Sequence, residues 1–449
     1  MKLNLSLSKL AGITGGTLRA KDPQRKIDTL VTDSRRVGPG DSFWALKGAT
    51  HDGHQFIQEC ISKGATLIVG EKDLLPSNIK DQAVDVLEVE NSLKALQELA
   101  KAHRLNAMLK VAAITGSNGK STTKQMLLSI CSHAGATVAN IGNLNNQFGV
   151  PFSLLEIMPE HEYGVFELGA SHPGDITETA SLAVPDVAVI TNVSAAHLAF
   201  FKDLETVYRT KTEIVDCLAA AGTLVYNCDD EMLARLGSYK GKAISFGFNP
   251  RADLRILETD DFSFVYKGIT YSIDLHLQHH DKLNAAAACA AAIGLGLFMD
   301  DIQQGLLSFT PMPMRMQRKV HGNATLILDC YNANPASMKN ALEILGREVA
   351  TPRIAVLGDM KELGDNSSQY HAAIAQQLLD NHIDYAFLAG TEMLAAAKAL
   401  EGATGITLFY GPTPAAWLAE LKKLLLEKGG VCLLKASRSM QFEKIVEDL

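Results

Sequence analysis

The sequence predicts an α/β protein of three domains. Its 449 residues correspond to about three domains at roughly 150 residues each. Apolar runs of strand length alternate with helix-like stretches, which is typical of parallel sheets covered by helices. A glycine-rich turn at 116–119 separates one such strand from one such helix. We therefore predict a small α/β N-terminal domain, a central P-loop ATPase-like domain with a parallel sheet, and a Rossmann-like, doubly wound C-terminal domain.

The N-terminal domain is expected to cover residues 1–105. A helical stretch at 54–63 is followed by Gly64, and Asn91 is expected to cap a connecting helix whose apolar residues recur at helical spacing. The predicted strands of this domain are TLIVG at 66–70 and VDVLEVE at 84–90.

The central domain is expected to cover residues 106–310 and the C-terminal domain residues 311–449. No GxGxxG motif opens the C-terminal domain, so the sequence gives no indication of dinucleotide binding. Predicted central strands are VAAIT at 111–115, YGVFEL at 163–168 and VAVITNV at 187–193; predicted C-terminal strands are TLILDC, RIAVLG, YAFLAG, TLFY and VCLLK.

The composition is that of an ordinary globular protein, with 47% hydrophobic and 20% charged residues. The net charge of -8 and the absence of a dense Lys/Arg run argue against nucleic acid as a partner. Seven cysteines without a CxxC pair are expected to be reduced and mostly buried. The first residues lack a signal-peptide apolar core, and the Ala-rich stretch 284–299 is shorter than the ~20 residues of a spanning helix. We therefore expect a cytoplasmic protein without membrane insertion.

A phosphate-binding loop is the strongest single signal in the chain. Glycines allow successive backbone N–H groups to curl around phosphate oxygens, Lys120 can neutralise phosphate charge, and the Ser121 hydroxyl can ligate Mg²⁺. The loop is a shortened variant, because its first glycine lies three residues before Gly119. A simple turn would explain the glycines but not Lys120 and Ser121 at the helix start. The predicted ATP-binding residues here are Thr115, Gly116, Ser117, Asn118, Gly119, Lys120, Ser121 and Thr122.

Glu167 lies in an apolar strand, where a carboxylate is costly unless it is paired or holds a metal. We expect this strand to end beside the phosphate loop. Glu167 and Ser121 together therefore predict a Mg²⁺ site. His197 follows another strand and could equally be a capping or core histidine.

Six stretches of the chain, in addition to the phosphate loop, resemble the Mur ligases, which are ATP-dependent amide-forming enzymes of peptidoglycan synthesis. Besides the GxxGK[ST] loop, three look like those of the member that adds D-alanyl-D-alanine: GNLNNQFGVP at 142–151, ELGASHPGDI at 167–176 and DCYNANPASM at 329–338. The others are VTDSRRVGPGDSFWALKG near the start, VLGDMKELG at 356–364 and KASRS near the end.

The resemblance implies an ATP-dependent ligase that joins D-alanyl-D-alanine to a UDP-N-acetylmuramoyl tripeptide through an acyl phosphate. It implies ATP as co-substrate, two Mg²⁺ ions and a carbamylated Lys211, in a protein that we expect to be monomeric. The implied catalytic residues are Lys120, His197 and Lys211, and the implied metal ligands are Ser121, Glu167, His197 and Lys211. Further residues implied at the nucleotide are His280, Asp281, Arg315, Asp329, Tyr331, Asn332 and Asn334. Those implied at the substrates are Asp33, Ser34 and Arg35 for the uridine diphosphate, Asn145, Asn146, Gln147 and His172 for the muramoyl peptide, and Lys435, Ser437 and Arg438 for the dipeptide carboxylate.

Three positions differ from the residues that are usual in this family. Met314 replaces the glycine before Arg315, Asp281 replaces the asparagine after His280, and Ala199 replaces a glutamate. Two alternatives stay open. One is an amide ligase with another substrate, such as a folylpolyglutamate synthetase or a ligase for a single amino acid, which would share the phosphate loop and Lys211. The other, which only Asp281 and Ala199 favour, is a nucleotide-binding protein that has lost catalysis.

Overall fold

The structure, a computed structural model, describes residues 2–48, 51–194, 201 and 203–449. It contains a six-stranded, a nine-stranded and a second six-stranded sheet, which follow one another along the chain. Helices cover each sheet. The predicted α/β fold with three sheet-containing domains is confirmed.

The N-terminal sheet has the order β1-β3-β4-β5-β6-β2. Its strands β3 to β6 are parallel, while β1 and β2 pair antiparallel at the edges. As predicted, the Asn91 side chain caps α3 by accepting a hydrogen bond from the N–H of Lys94 at 2.8 Å. The strands are β1 Lys2–Ser6, β2 Thr17–Arg19, β3 Lys26–Val31, β4 Ser42–Trp44, β5 Leu67–Glu71 and β6 Asp85–Val89, and the helices are α1 Leu7–Thr14, α2 Ile57–Ser62 and α3 Ser92–Asn106.

The central sheet has the order β15-β14-β13-β12-β11-β10-β7-β9-β8. Its strands are β7 Lys110–Thr115, β8 Thr137–Ala139, β9 Tyr163–Glu167, β10 Val187–Ile190, β11 Thr223–Asn227, β12 Lys242–Gly247, β13 Leu254–Ile256, β14 Asp261–Tyr266 and β15 Ile269–His276. Its helices are α4 Lys120–Ala134, α5 Gly149–Leu154, α6 Asp175–Ala183, α7 Leu204–Asp216, α8 His279–Leu295 and α9 Met299–Leu307.

The prediction of a parallel sheet holds for strands β7 to β13 of the central domain. It is wrong for β14 and β15, which form an antiparallel hairpin at one edge. Lys267 and Gly268 connect these two strands with positive φ angles of 48° and 78°. A two-residue turn with both φ angles positive matches the twist of a hairpin, which explains the reversal of the chain here.

The Ala-rich stretch forms the buried helix α8 of the central domain. Residues 285–292 of this helix are fully buried. Small side chains allow this helix to lie close to the sheet. Among the described residues, no helix combines the length and the apolar character needed to cross a membrane.

Helices α9 and α4 are in close contact at Gly305. A Cβ atom on Gly305 would lie 2.3 Å from the Cα atom of Ile130, and the Gly305 carbonyl accepts a hydrogen bond from the Ser129 hydroxyl at 2.7 Å. We expect Gly305→Ala to lower the free energy of unfolding by about 1–3 kcal/mol, because backbone atoms must move apart. Scanning calorimetry would measure this as a lower transition temperature. Gly12→Ala in α1, where a Cβ meets nothing within 4 Å, is the control, and an unchanged Gly305→Ala transition would contradict the prediction.

The C-terminal sheet has the order β16-β17-β21-β18-β19-β20 and is parallel except for the edge strand β16. Alternate side chains along β17 point into two separate hydrophobic clusters. Ile327 belongs to a cluster with residues of helices α10 to α12, and Leu326 belongs to a cluster with residues of helices α13 and α14. The sheet is therefore covered on both faces, as predicted. Its strands are β16 Gln317–His321, β17 Ala324–Leu328, β18 Arg353–Gly358, β19 Tyr385–Ala389, β20 Thr407–Gly411 and β21 Gly430–Lys435, and its helices are α10 Pro335–Gly346, α11 Ser367–Asp380, α12 Leu394–Ala399, α13 Leu418–Lys428 and α14 Glu443–Asp448.

Candidate active site

A cleft of about 1410 Å³ lies between the central and C-terminal domains. On the central side it is lined by residues that follow β7, β8 and β9 and by the start of α8. On the C-terminal side it is lined by residues that follow β17, β18 and β21. Ligands of open α/β sheets bind at the carboxyl ends of strands. The cleft therefore lies where a substrate is expected.

The phosphate loop connects β7 to α4 and depends on two glycines. Gly116 has a φ of 143°, and a Cβ there would lie 2.0 Å from Thr191 Oγ1. Gly119 has a φ of 78°, and a Cβ there would lie 2.3 Å from Asn284 Oδ1. Only glycine fits both the backbone conformation and the space at these positions.

The segment after β10 braces the phosphate loop. The N–H of Ser117 donates to the Asn192 carbonyl, and the N–H of Asn118 donates to Asn192 Oδ1, both at 2.9 Å. The Thr191 hydroxyl donates to the Asn118 carbonyl at 2.6 Å. The loop is thus held in shape by residues outside it, and the first N–H groups of α4, which have no partner within the helix, are left for a ligand.

Lys120, the first residue of α4, folds back over the phosphate loop. Its Nζ donates to the carbonyls of Gly116 and Ser117 at 2.8 and 3.0 Å. Burial lowers the pKa of Lys120, while the negative charge of Glu167 opposes that shift. The two hydrogen bonds hold the Lys120 amino group at the loop that would receive phosphate groups.

Ser121 and Glu167 are in direct contact. The Ser121 hydroxyl donates to Glu167 Oε2 at 2.6 Å, and Asn145 Nδ2 donates to Glu167 Oε1 at 2.8 Å. Glu167 is 3% exposed. It is the last residue of β9, where it lies beside Ile114 of the neighbouring strand β7. Arg315, from the C-terminal side, donates to the Ser121 hydroxyl at 2.8 Å. A buried carboxylate beside a hydroxyl supplies the oxygen ligands that Mg²⁺ prefers, so these residues fit the predicted ion.

Lys211 is buried in α7, with 2% of its surface exposed. Its Nζ lies 5.8 Å from the centre of the Phe201 ring. Burial, helped by the positive charge of Lys120, lowers the pKa of Lys211 to about 7. A large fraction of this amine is therefore neutral at neutral pH. His197 lies outside the described residues.

His280 and Asp281 lie in the first turn of α8 and line the cleft, with His280 Nε2 3.4 Å from Asp281 Oδ2. Asn284, which sequence reasoning missed, donates to Asp281 Oδ1 at 3.3 Å and accepts from the Thr123 hydroxyl at 3.4 Å. It also lies against Gly119 of the phosphate loop. The signal that could have identified Asn284 is its position, because it is the one amide side chain at the start of the Ala-rich stretch 284–299.

The C-terminal domain contacts the phosphate loop through Asn334 and Arg315. Asn334 caps α10 and donates to Asn118 Oδ1 at 2.8 Å. The guanidinium of Arg315 lies 4.1 Å from the centre of the Tyr331 ring. Met314 has a φ of 60°, a conformation that glycine adopts without strain, so a glycine would fit this position.

Lys435 is buried at the end of β21, with 1% of its surface exposed. Its Nζ donates to Asp329 Oδ2 at 2.5 Å and to the Asn332 carbonyl at 3.2 Å. Nearby, Arg438 pairs with Glu443 at 2.5 Å. The structure brings the predicted C-terminal residues Asp329, Tyr331, Asn332, Asn334, Lys435, Ser437 and Arg438 together along one wall of the cleft.

The predicted substrate residues fall into two places. On the central wall of the cleft are Asn145, Asn146, Gln147 and His172. Asp33, Ser34 and Arg35 lie in the N-terminal domain and do not line this cleft. There, two side-chain hydrogen bonds from Arg35, at 2.9 and 2.7 Å, help to lower the pKa of Asp33 to about 2.

Comparison with known proteins supports the resemblance along the whole chain. Residues 26–104 match the Mur ligase family catalytic domain, residues 114–292 the Mur ligase middle domain, and residues 314–438 the Mur ligase glutamate ligase domain. The UDP-N-acetylmuramoyl-tripeptide--D-alanyl-D-alanine ligase of Buchnera aphidicola is 35% identical over 464 aligned residues, covering 100% of this chain and 98% of that protein.

Two solved structures show the same arrangement. A crystal structure of MurF from Acinetobacter baumannii has a TM-score of 0.92 at 34% identity and covers 100% of this chain and 99% of that chain. MurF ligase from Thermotoga maritima in complex with ADP has a TM-score of 0.82 at 29% identity and covers 93% of this chain and 96% of that chain. The chain therefore belongs to the Mur ligase family.

Proposed function

We propose that this protein is an ATP-dependent ligase that joins D-alanyl-D-alanine to a UDP-N-acetylmuramoyl tripeptide during synthesis of peptidoglycan precursors. One observation carries the proposal. The phosphate loop, the Ser121–Glu167 pair and the residues of three D-alanyl-D-alanine-type motifs line a single cleft. Relatives that bear this enzyme name match the chain along its full length.

The reaction needs an activated carboxylate. The tripeptide's terminal carboxylate would attack the γ-phosphorus of ATP, so that a C–O–P bond forms and ADP leaves. The dipeptide amine would then attack the acyl carbon, and the tetrahedral intermediate would release phosphate and a proton. Lys120 and Arg315 lie where they can offset the negative charge of the transferring group, so their role is positioning and electrostatic stabilisation.

The metal and the modified lysine belong to the same proposal. Ser121 and Glu167 would hold one Mg²⁺, and His197 and Lys211 would serve a second. The ions would neutralise phosphate charge during transfer. A neutral Lys211 amine can add to CO2 and lose a proton, which gives a carbamate with oxygen ligands.

The arrangement of the domains suits a water-sensitive intermediate. Arg315 with Ser121, and Asn334 with Asn118, join the two walls of the cleft at the phosphate loop. Exclusion of water by these contacts would protect the acyl phosphate from hydrolysis. Asp33, Ser34 and Arg35 would contact the uridine diphosphate from the N-terminal domain. We propose that the protein acts in the cytoplasm as a monomer.

A panel of acceptors tests the proposal. With saturating Mg-ATP and UDP-N-acetylmuramoyl tripeptide, phosphate release should require D-alanyl-D-alanine. D-alanine, L-alanine, L-lysine and glutamate should fail, because a shorter acceptor leaves buried polar groups unpaired, at about 1–3 kcal/mol per group. The measurement is phosphate release together with mass detection of the amide product.

A folate donor with glutamate is the comparison that separates this ligase from a folylpolyglutamate synthetase. Turnover with that pair, or a preference for one amino acid over the dipeptide, would overturn the assignment of substrates and leave the amide-ligase fold standing. Absence of ATP turnover with every pair would favour a protein that binds nucleotide without catalysis.

A further inference from the structure

Lys124 is a buried lysine to which the proposed mechanism assigns no role. It lies in α4, four residues after Lys120, and is 3% exposed. Lysine is rarely buried unless its charge is paired. Its Nζ donates to the carbonyls of Asn140 and Gly142, at 3.0 and 3.4 Å. Helix α4 is thereby attached to the loop that follows β8.

Asn140 attaches the same loop to the end of β9. Its Nδ2 donates to the carbonyls of Glu167 and Leu144, at 2.9 and 3.0 Å. Its Oδ1 accepts from the N–H of Glu167 at 3.0 Å. The side chain of Asn140 thus continues the pairing of β8 with β9 beyond the last backbone pair.

The loop then returns to the Glu167 carboxylate. Asn145 Nδ2 donates to Glu167 Oε1 at 2.8 Å, and the Asn145 carbonyl accepts from the N–H of Gly169 at 2.8 Å. Glu167 Oε2 in turn accepts from Ser121, which lies in the same helix as Lys124. Lys124 and Ser121 therefore connect α4 to the 140–147 loop by two separate routes. One runs through backbone carbonyls and the other through Glu167.

Two charged side chains, Glu167 and Arg315, influence the pKa of Lys124. Burial lowers the pKa of Lys124, and the negative charge of Glu167 opposes that shift, whereas Arg315 favours it. Among the described residues, the side-chain hydrogen bonds of Lys124 go to the carbonyls of Asn140 and Gly142 and not to phosphate-loop residues. Its direct effect on nucleotide binding should therefore be small.

We propose that Lys124 is a positioning residue that fixes the 140–147 loop, the proposed muramoyl-peptide loop, relative to the phosphate loop. The carboxylate to be phosphorylated must lie in line with the γ-phosphate, so the separation of these two loops governs the reaction. The substrate part of this inference rests on the proposed function. The structural part, that Lys124 holds the loop, does not.

Lys124→Met tests the inference, because it keeps most of the volume and removes the donor. We expect the KM for the UDP-N-acetylmuramoyl tripeptide to rise about tenfold or more, while the Kd for ADP, measured by calorimetry in Mg²⁺ buffer, stays within about threefold. Lys94→Met, at an exposed position in α3, is the matched control and should change neither value. If Lys124→Met does not fold, Lys124→Leu, which also lacks a donor, should raise the tripeptide KM and leave the Kd for ADP unchanged in the same way.

Equal changes in tripeptide KM and ADP affinity would overturn the inference, since they would indicate general loss of structure. Changes in neither constant would also overturn it. Hydrogen exchange provides a readout that needs no substrate. Amides at 140–147 should exchange about tenfold faster in Lys124→Met, with β7 unaltered. If wild-type protein fails to use the tripeptide, the proposed function fails, while the exchange experiment still decides whether Lys124 holds the loop.

Discussion

Lys120→Ala is expected to reduce kcat/KM for ligation by about 100- to 1000-fold, which corresponds to about 3–4 kcal/mol for one well-placed electrostatic donor. The Lys120 ammonium lies 2.8 and 3.0 Å from the carbonyls of Gly116 and Ser117. No other lysine ammonium among the described residues hydrogen-bonds to this loop. The measurement is phosphate release with both substrates at several concentrations.

The fold should survive this change, because other residues hold the phosphate loop. Asn192 and Thr191 brace it through bonds that do not involve Lys120. Circular dichroism and the thermal transition should therefore match those of wild type. Lys398→Ala, at an exposed position in α12, is the control. Activity of Lys120→Ala within about twofold of wild type would remove the assignment of this loop to ATP.

Sequence reasoning predicted the fold well where local signals are strong. Asn91 caps a helix as expected, and the continuous apolar strands form parallel sheets. Strands β14 to β16 are among those that were missed; they are antiparallel and partly exposed, with polar residues interrupting the apolar ones. The turn between β14 and β15 has lysine rather than asparagine or aspartate at its first position, so its hairpin signal is weak.

In the candidate site, residues that are adjacent in sequence could be predicted, whereas contacts between distant residues could not. The phosphate loop is predictable because its glycines, lysine and serine adjoin one another. The bond between Arg315 and Ser121 joins residues 194 positions apart, and only the tertiary fold brings them together. Asn284 and Lys124 were missed because isolated polar residues in helices are usually solvated or structural. The role of His197 stays a prediction.

Lys211→Ala is expected to lower ligation by at least about 100-fold, because the proposed second metal site would lose a ligand. Acetate should partly restore activity, since the smaller side chain leaves room for a carboxylate in place of the proposed carbamate. Lys211→Arg is the matched control. It keeps a positive charge, cannot become a carbamate and leaves no room for acetate, so it should be inactive and should not respond to acetate. The measurement is phosphate release across an acetate titration.

The chemistry of Lys211 also predicts a dependence on pH. Only the neutral amine adds to CO2, and with a pKa of about 7 the neutral fraction is roughly one tenth at pH 6 and roughly nine tenths at pH 8. An ordinary lysine would be almost entirely charged over that range. At constant pressure of ¹³C-labelled CO2, wild type should therefore show in NMR a carbamate signal that rises from pH 6 to pH 8 and that is missing from Lys211→Ala. An unmodified Lys211 facing solvent in a Mg²⁺-bound crystal structure would contradict the prediction, because a charged lysine cannot supply an oxygen ligand.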